Sequence, residues 1–349
     1  MLSSFISSHS VIISASLLIL AYIFIALEKI PKMTIALIGG ALTIVLGLVS
    51  QTKAVNGIIN PNYFINYIDF NVIFLLVSMM IIVSITTRSG IFNWVANELL
   101  KFTKGHPIKV LCALGLFTAI TSAFLDNVTT VILIMPITFA IAKKLNIDPI
   151  PFLLTEIFSS NIGGTATLIG DPPNIIIGSA GGLTFMDFVK ELTPIIIIIM
   201  CAVIGVLTLI FRKKLHASDD KMKEVAEIDN THTITNKNLM FRSTIVLALV
   251  ILGFMLHDVI HIETCVVAML GAAFLLIFEK PNDILKDVEW NTIFFFIGLF
   301  IIIGGLEASG GIRLMAEWIL KVTQGSQAAT SMIILWASGV ISGIIDNIP

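Results

Sequence analysis

The sequence predicts an all-α polytopic membrane protein built from inverted repeats, with re-entrant hairpins and broken transmembrane helices. Three observations carry this reading: scarcity of charge, recurrence of long apolar runs, and polar residues that repeat at a fixed shift. Only 13% of the 349 residues are Asp, Glu, Lys or Arg, and 56% are apolar. A soluble domain carries about 25% charged residues. Apolar runs of about 20 residues, the length of a membrane-crossing helix, recur from end to end. Such a surface excludes a soluble enzyme, a nucleic-acid binder and a disordered chain. The lipid bilayer is its expected partner, and the net charge of −2 identifies no other.

The elements follow in order. Residues 1–66 hold two spans, 10–27 and 33–50. The first begins without Lys or Arg before it, so it lacks the basic start of a signal peptide and reads as a retained helix. Residues 67–211 form a first repeat, with a span at 70–87, an interrupted stretch at 108–142, a broken helix at 150–182 and a span at 194–211. Residues 212–242 carry both signs of charge and read as a solvated cytoplasmic loop. Two connecting spans, 243–260 and 262–278, lie within 243–287. Residues 288–349 begin a second repeat, with a span at 291–306 and a run at 328–345 leading into Asp346-Asn347. Cys112, Cys201 and Cys265 stand alone, so neither a disulfide nor a metal site is expected. His257 and His261 have zinc-pair spacing, but they fall in a turn where exposed polar residues belong.

Lys and Arg placement decides how 108–142 is threaded. If it is a hairpin that enters and leaves on one side, and the N-terminus is outside, 17 basic residues are cytoplasmic and four are not. If it crosses once, the split becomes 9 against 12. The positive-inside rule favours the hairpin.

Shifting the sequence by 220 residues aligns 69–129 with 289–349 without a gap, with 15 identities in 61 positions. The polar matches include Asn71/Asn291, Ser89/Ser309, Lys101/Lys321, Thr103/Thr323, Ser122/Ser342, Asp126/Asp346 and Asn127/Asn347. In the hairpin topology the two copies run in opposite directions. Inverted repeats with broken helices are the architecture of secondary transporters. Each copy carries an amphipathic stretch, Ile91 to Phe102 and Ile312 to Val322, which reads as a helix lying in the membrane interface.

Two segments could carry chemistry. The first is Ser122 to Thr130, midway along 108–142, where a hairpin tip would lie deep in the membrane. An aspartate at the centre of a membrane helix costs about 2.5–3.5 kcal/mol, so Asp126 needs water, a proton, a cation or a partner. The plainer role is a cap on the second arm. The second segment is Ser159 to Asn174, where glycines and Pro172-Pro173 prevent a continuous helix. Its unpaired backbone groups could hold an ion. Glu156 lies one turn before Ser160 and is a candidate proton carrier. Arg88 and Arg313, at helix ends, read as anchors snorkelling to the interface.

The pair SAFLDNVTTVILIMPI (122–137) and SSNIGGTATLIGDPPNIII (159–177) resembles the ion transporter superfamily. Within it, the chain resembles the ArsB/NhaD permeases: arsenite pump membrane subunits, NhaD-type sodium/proton antiporters and the P protein-like branch. The resemblance implies a scaffold and a transport domain, with the site built from two hairpin tips and two broken helices. It carries over Asp126, Asn127, Thr129 and Thr130 at the first tip. From the first broken helix it takes Asn161, Gly163, Gly164, Thr165, Thr167, Asp171 and Asn174. Asp346 and Asn347 form the second tip. Related carboxylate symporters have Ser-Asn-Thr at the tips; here Asp replaces Ser in both copies, and a carboxylate repels a di- or tricarboxylate. The second hairpin's return arm and second broken helix do not fall within the 349 residues, so the sequence reads as a truncated or partial chain.

These readings make the chain a secondary active ion transporter and not an enzyme. Sodium/proton exchange by alternating access leads; arsenite or another oxyanion is the alternative substrate, and an ion channel the rival class. An intramembrane aspartyl protease needs GxGD, and Leu168 stands where its first glycine belongs. No cofactor is expected beyond transported or coupling sodium ions or protons. A homodimer is an allowed partner, and an ATPase subunit only for an arsenite pump. The expected location is the plasma (inner) membrane.

Overall fold

The computed structural model describes residues 8–49, 66–226 and 233–342; Asp346 and Asn347 lie outside them. Helices account for all regular structure among the described residues. The first are α1 (Ser10–Ala26), α2 (Lys32–Val45), α3 (Phe70–Arg88), α4 (Ile91–Thr103), α5 (Pro107–Ser122) and α6 (Asn127–Leu145). Next come α7 (Ile150–Gly164), α8 (Pro172–Gly181), α9 (Phe185–Glu191), α10 (Thr193–Phe211), α11 (Asp219–Ala226) and α12 (Lys237–Met255). The remainder are α13 (His257–Ile260), α14 (Thr264–Leu276), α15 (Pro281–Ile284), α16 (Trp290–Ala308), α17 (Gly311–Val322) and α18 (Gln327–Ser342). Among the described residues, α3, α6, α10, α12 and α16 are long and apolar enough to cross a membrane. On α10, Ile195, Ile197, Ile198, Leu209 and Ile210 are exposed, a face that suits lipid and not water.

The chain divides into two compact units, residues 1–73 with 289–349 and residues 74–288. In the first, α2 lies on α16 through small residues. A Cβ added at Gly298 would stand 2.4 Å from the Ala36 carbonyl carbon, and one at Gly305 would stand 2.5 Å from a Thr43 methyl. Small side chains bring helix backbones close where lipid removes the hydrophobic drive to associate. Ser14 adds a hydrogen bond from α1 to the Gly305 carbonyl at 3.1 Å.

In the second unit, one buried cluster settles the path of 108–142. It joins Val110, Leu111 and Leu114 from the start of α5 to Ile141 and Leu145 at the end of α6. Leu100, Phe152 and Leu215 complete it. The stretch therefore begins and ends at the same place: α5 and α6 are the arms of a hairpin. Arms of 16 and 19 residues reach about 24 and 28 Å, against an apolar layer about 30 Å thick. Cysteines placed at the exposed positions Lys104 and Lys143 should both react with an impermeant maleimide from the same side. Labelling from opposite sides would contradict the hairpin.

The shift of 220 found in the sequence recurs in the backbone. Moved by 220, α3 coincides with the bounds of α16, α4 with those of α17 to within one residue, and the start of α5 with the start of α18. Gly90 and Gly310 have φ of +85° and +84°, Lys104 and Gln324 of +53° and +52°. Ser89 and Ser309 each donate to a carbonyl three residues back, on Thr86 and Leu306. A further correspondence joins α2 and α14: Gly39 faces Ile302 of α16, and Gly271 faces Ile82, the residue 220 positions before it.

Both amphipathic stretches are helical. In α4, Ala96, Leu100 and Thr103 are buried while Phe102 is 84% exposed. In α17, Leu314, Met315, Trp318 and Val322 all face outward.

Two of the elements depart from the sequence reading. The connection 212–242 is not wholly solvated, because Leu215 is buried and 219–226 form a helix. The span expected at 243–260 runs from 237 to 255. Asn236 fixes its start by accepting the N–H groups of Asn238 and Leu239 at 3.0 and 3.1 Å. Arg242 then falls inside the helix, its guanidinium 4.2 Å from the centre of the Phe278 ring.

Candidate functional site

The hairpin tip meets the break between α7 and α8. Ser122, at the end of α5, donates to the Ser160 carbonyl at 2.8 Å and to Asn127 Oδ1 at 2.9 Å. Asn127, the first residue of α6, donates to Asn161 Oδ1 at 3.2 Å and to the Asp171 carboxylate. Its amide thus ties both arms to both halves of the broken helix.

Asp126 caps α6, its Oδ2 accepting the Thr129 N–H at 2.9 Å. It also lies close enough to Asp171 to act on it electrostatically. Asp171 precedes Pro172 and Pro173, which supply no N–H, and its side chain does not cap α8.

The break is braced from inside. The Thr167 hydroxyl donates to the Ala123 carbonyl, and Asn174 donates to the carbonyls of Gly164 and Thr167 at 3.2 and 2.8 Å. Thr165 donates to the Asn161 carbonyl at 2.9 Å. The glycines let backbones touch: a Cβ at Gly163 would stand 2.2 Å from the Ala119 oxygen, and one at Gly164 the same distance from Asn127 Oδ1.

The expected residues therefore separate by position. Asp126, Asn127, Asn161 and Asp171 gather around the tip. Gly163, Gly164, Thr165, Thr167 and Asn174 hold the break in shape, their polar side chains engaged with backbone carbonyls. Thr129 lines a neighbouring cavity, and Thr130 is buried with its hydroxyl unpartnered among the described residues. Glu156, one turn before Ser160, is fully buried and accepts from the Thr138 hydroxyl.

The cavity encloses about 200 Å³ and is bounded by Met80, Arg88, Asp126, Thr129, Ile175 and Asp287, among others. That is room for an ion with several waters. Arg88, read from the sequence as a snorkelling anchor, is engaged in an ion pair. Its Nε and Nη2 donate to Asp287 Oδ2 at 2.9 and 2.7 Å, and Nη2 also reaches the Asp283 carbonyl at 2.7 Å. Ser84 donates to the same carboxylate oxygen at 2.5 Å. The acidic partner, 199 residues away in sequence, draws the guanidinium back over the cavity. Arg313 makes a local pair with Glu317 at 2.9 Å, 84% exposed. Sequence reasoning passed over Ser84 and Asp287 and kept Ser122 out of the site. One available signal was that Arg88 has no basic counterpart in the second copy, where Ala308 stands.

A family model described as citrate transporter, CitMHS, matches residues 22–349. The chain belongs to the CitMHS citrate transporter family. An uncharacterized transporter of Mycobacterium tuberculosis (H37Rv) is 40% identical over 343 residues, covering 97% of this chain and 78% of the relative. The 46 kDa membrane protein of Mycobacterium leprae is 38% identical over the same shares. The human P protein is 28% identical over 97% of this chain and 49% of its own length. The CitMHS assignment makes this chain a membrane transporter; the likeness to the P protein agrees with the P protein-like part of the resemblance, while the family model that matches is CitMHS and not ArsB/NhaD.

Proposed function

We propose that this CitMHS member is a secondary active carrier that exchanges a small cation, sodium first among candidates, for protons by alternating access. The observation that carries the reading is the pair Asp126 and Asp171 beside a cavity whose single arginine is already paired with Asp287. Asp126, Arg88 and Asp287 leave that cavity with a net negative charge. Such a site attracts a cation or a proton and repels a bare tricarboxylate. Asp126, Asp171 and Asn161 supply hard oxygen ligands, and Asp126 would hold a cation or a proton in turn. Glu156, buried behind the tip, is the second proton carrier of this reading, and Asp346 and Asn347 would supply the matching tip of the second copy.

Neutral arsenous acid or another oxyacid of the ArsB/NhaD kind is the second reading, because an uncharged substrate tolerates the carboxylates. The distribution of Lys and Arg supports an N-terminus on the outer side, and the plasma (inner) membrane is the proposed location. A homodimer is a compatible assembly, and an ATPase subunit only in the arsenite case.

Tracer counterflow in proteoliposomes tests the carrier itself. With sodium, arsenite and citrate offered in turn, the protein should accelerate ²²Na⁺ entry when unlabelled sodium is trapped inside. Flux without saturation or counterflow would indicate a channel, and counterflow with citrate alone would overturn the cation reading.

A further inference from the structure

We infer that the Arg88–Asp287 pair determines ion selectivity: it sets the net charge of the cavity that Asp126 faces and so decides which ions bind there. The inference rests on the cation reading above. Two observations on the second unit support it. Arg88, Asp287 and Asp126 bound the same cavity of about 200 Å³, so the charges act on one small volume. Asp287 is held by three donors, Arg88 Nε, Arg88 Nη2 and the Ser84 hydroxyl, all on Oδ2. Such convergence fixes the carboxylate at the cavity wall and keeps the guanidinium beside it.

The pair is not a structural necessity. Its side chains are 39% and 42% exposed, and ion pairs so exposed contribute little to stability. The second copy does without it, having Gly304 and Ala308 at the positions of Ser84 and Arg88. The fold of the repeat therefore does not require these charges. What they do is electrostatic: the arginine cancels Asp287 and leaves Asp126 to define the cavity.

This arithmetic gives sign-specific outcomes. Arg88→Gln leaves Asp287 uncompensated, making the cavity more negative, so sodium should bind more tightly. Asp287→Asn frees the Arg88 charge, making the cavity neutral, so sodium should bind more weakly. A unit charge several ångströms away in a partly screened site changes Kd by about tenfold. The double variant Arg88→Gln/Asp287→Asn restores the original charge and should return the Kd to within a few-fold of the parent.

The experiment is sodium titration of the purified full-length protein, followed by sodium protection of a cysteine at Met80, which bounds the same cavity. Opposite shifts for the two single variants, with recovery in the double, are the expected result. A structural role would instead weaken binding in both single variants and leave the double no better; that pattern overturns the inference. If the parent itself neither binds sodium nor is protected by it, the cation reading fails, and the inference falls with it. If the parent binds and the variants do not diverge, the inference alone fails.

Discussion

Asp126→Asn should reduce proton-coupled sodium flux to the level of empty vesicles while leaving membrane insertion and thermal stability nearly unchanged. The geometry separates the two roles of this side chain. As a cap it needs only an oxygen acceptor for the Thr129 N–H, now met at 2.9 Å, and Asn caps as well as Asp. As an ion ligand it needs charge, which Asn lacks. Loss of function therefore reports the charge alone. Asp126→Ala removes both roles and should cost about 1 kcal/mol more in stability, visible as a lower melting temperature and lower yield. Unaltered pH-dependent flux from the Asn variant would reduce Asp126 to a cap.

Gly163→Ala should be nearly as damaging for a different reason. The new Cβ would stand 2.2 Å from the Ala119 oxygen and 2.5 Å from its Cα, both backbone atoms that cannot rotate away. Either α7 moves off α5 or the tip loses its seat; overpacking of this kind typically costs about 1–3 kcal/mol, occasionally more. Ser122 and Asn127 would then lose register with Ser160, Asn161 and Asp171. The expected outcome is low counterflow together with a reduced melting temperature. Gly205→Ala on α10, where a Cβ meets nothing within 4 Å, is the matched control and should behave as the parent. Full activity in Gly163→Ala would show that tip and break need not touch during transport.

Much of this organisation is legible in the sequence because it is written in local chemistry. Asp126-Asn127 within an apolar run marks the tip, since polar residues in the middle of a membrane stretch need a reason to be there. Gly163 to Pro173 marks the break, since neither glycine nor proline sustains a helix. The 220-residue shift is readable because both copies keep the same turn residues, and the paired φ angles of Gly90 and Gly310 show why. Contacts between distant segments leave no such trace. Arg88 at the end of an apolar span resembles any interfacial cation until Asp287 is placed beside it. Leu215 looks like a loop residue until it is packed under the hairpin. Nor does sequence reveal which oxygens are already engaged: Thr165 and Thr167 look like ion ligands, yet their hydroxyls donate to backbone carbonyls.

The central claim is that a cation and a proton compete for carboxylates beside the hairpin tip. Its most direct test is a sodium pulse added to proteoliposomes holding an imposed pH gradient, with lumenal pH read by a trapped dye. The account predicts that sodium collapses the gradient in vesicles bearing the parent protein, saturably, and does not do so in vesicles bearing Asp126→Asn. A gradient untouched by sodium but dissipated on adding citrate would contradict it and assign the carrier to organic anions.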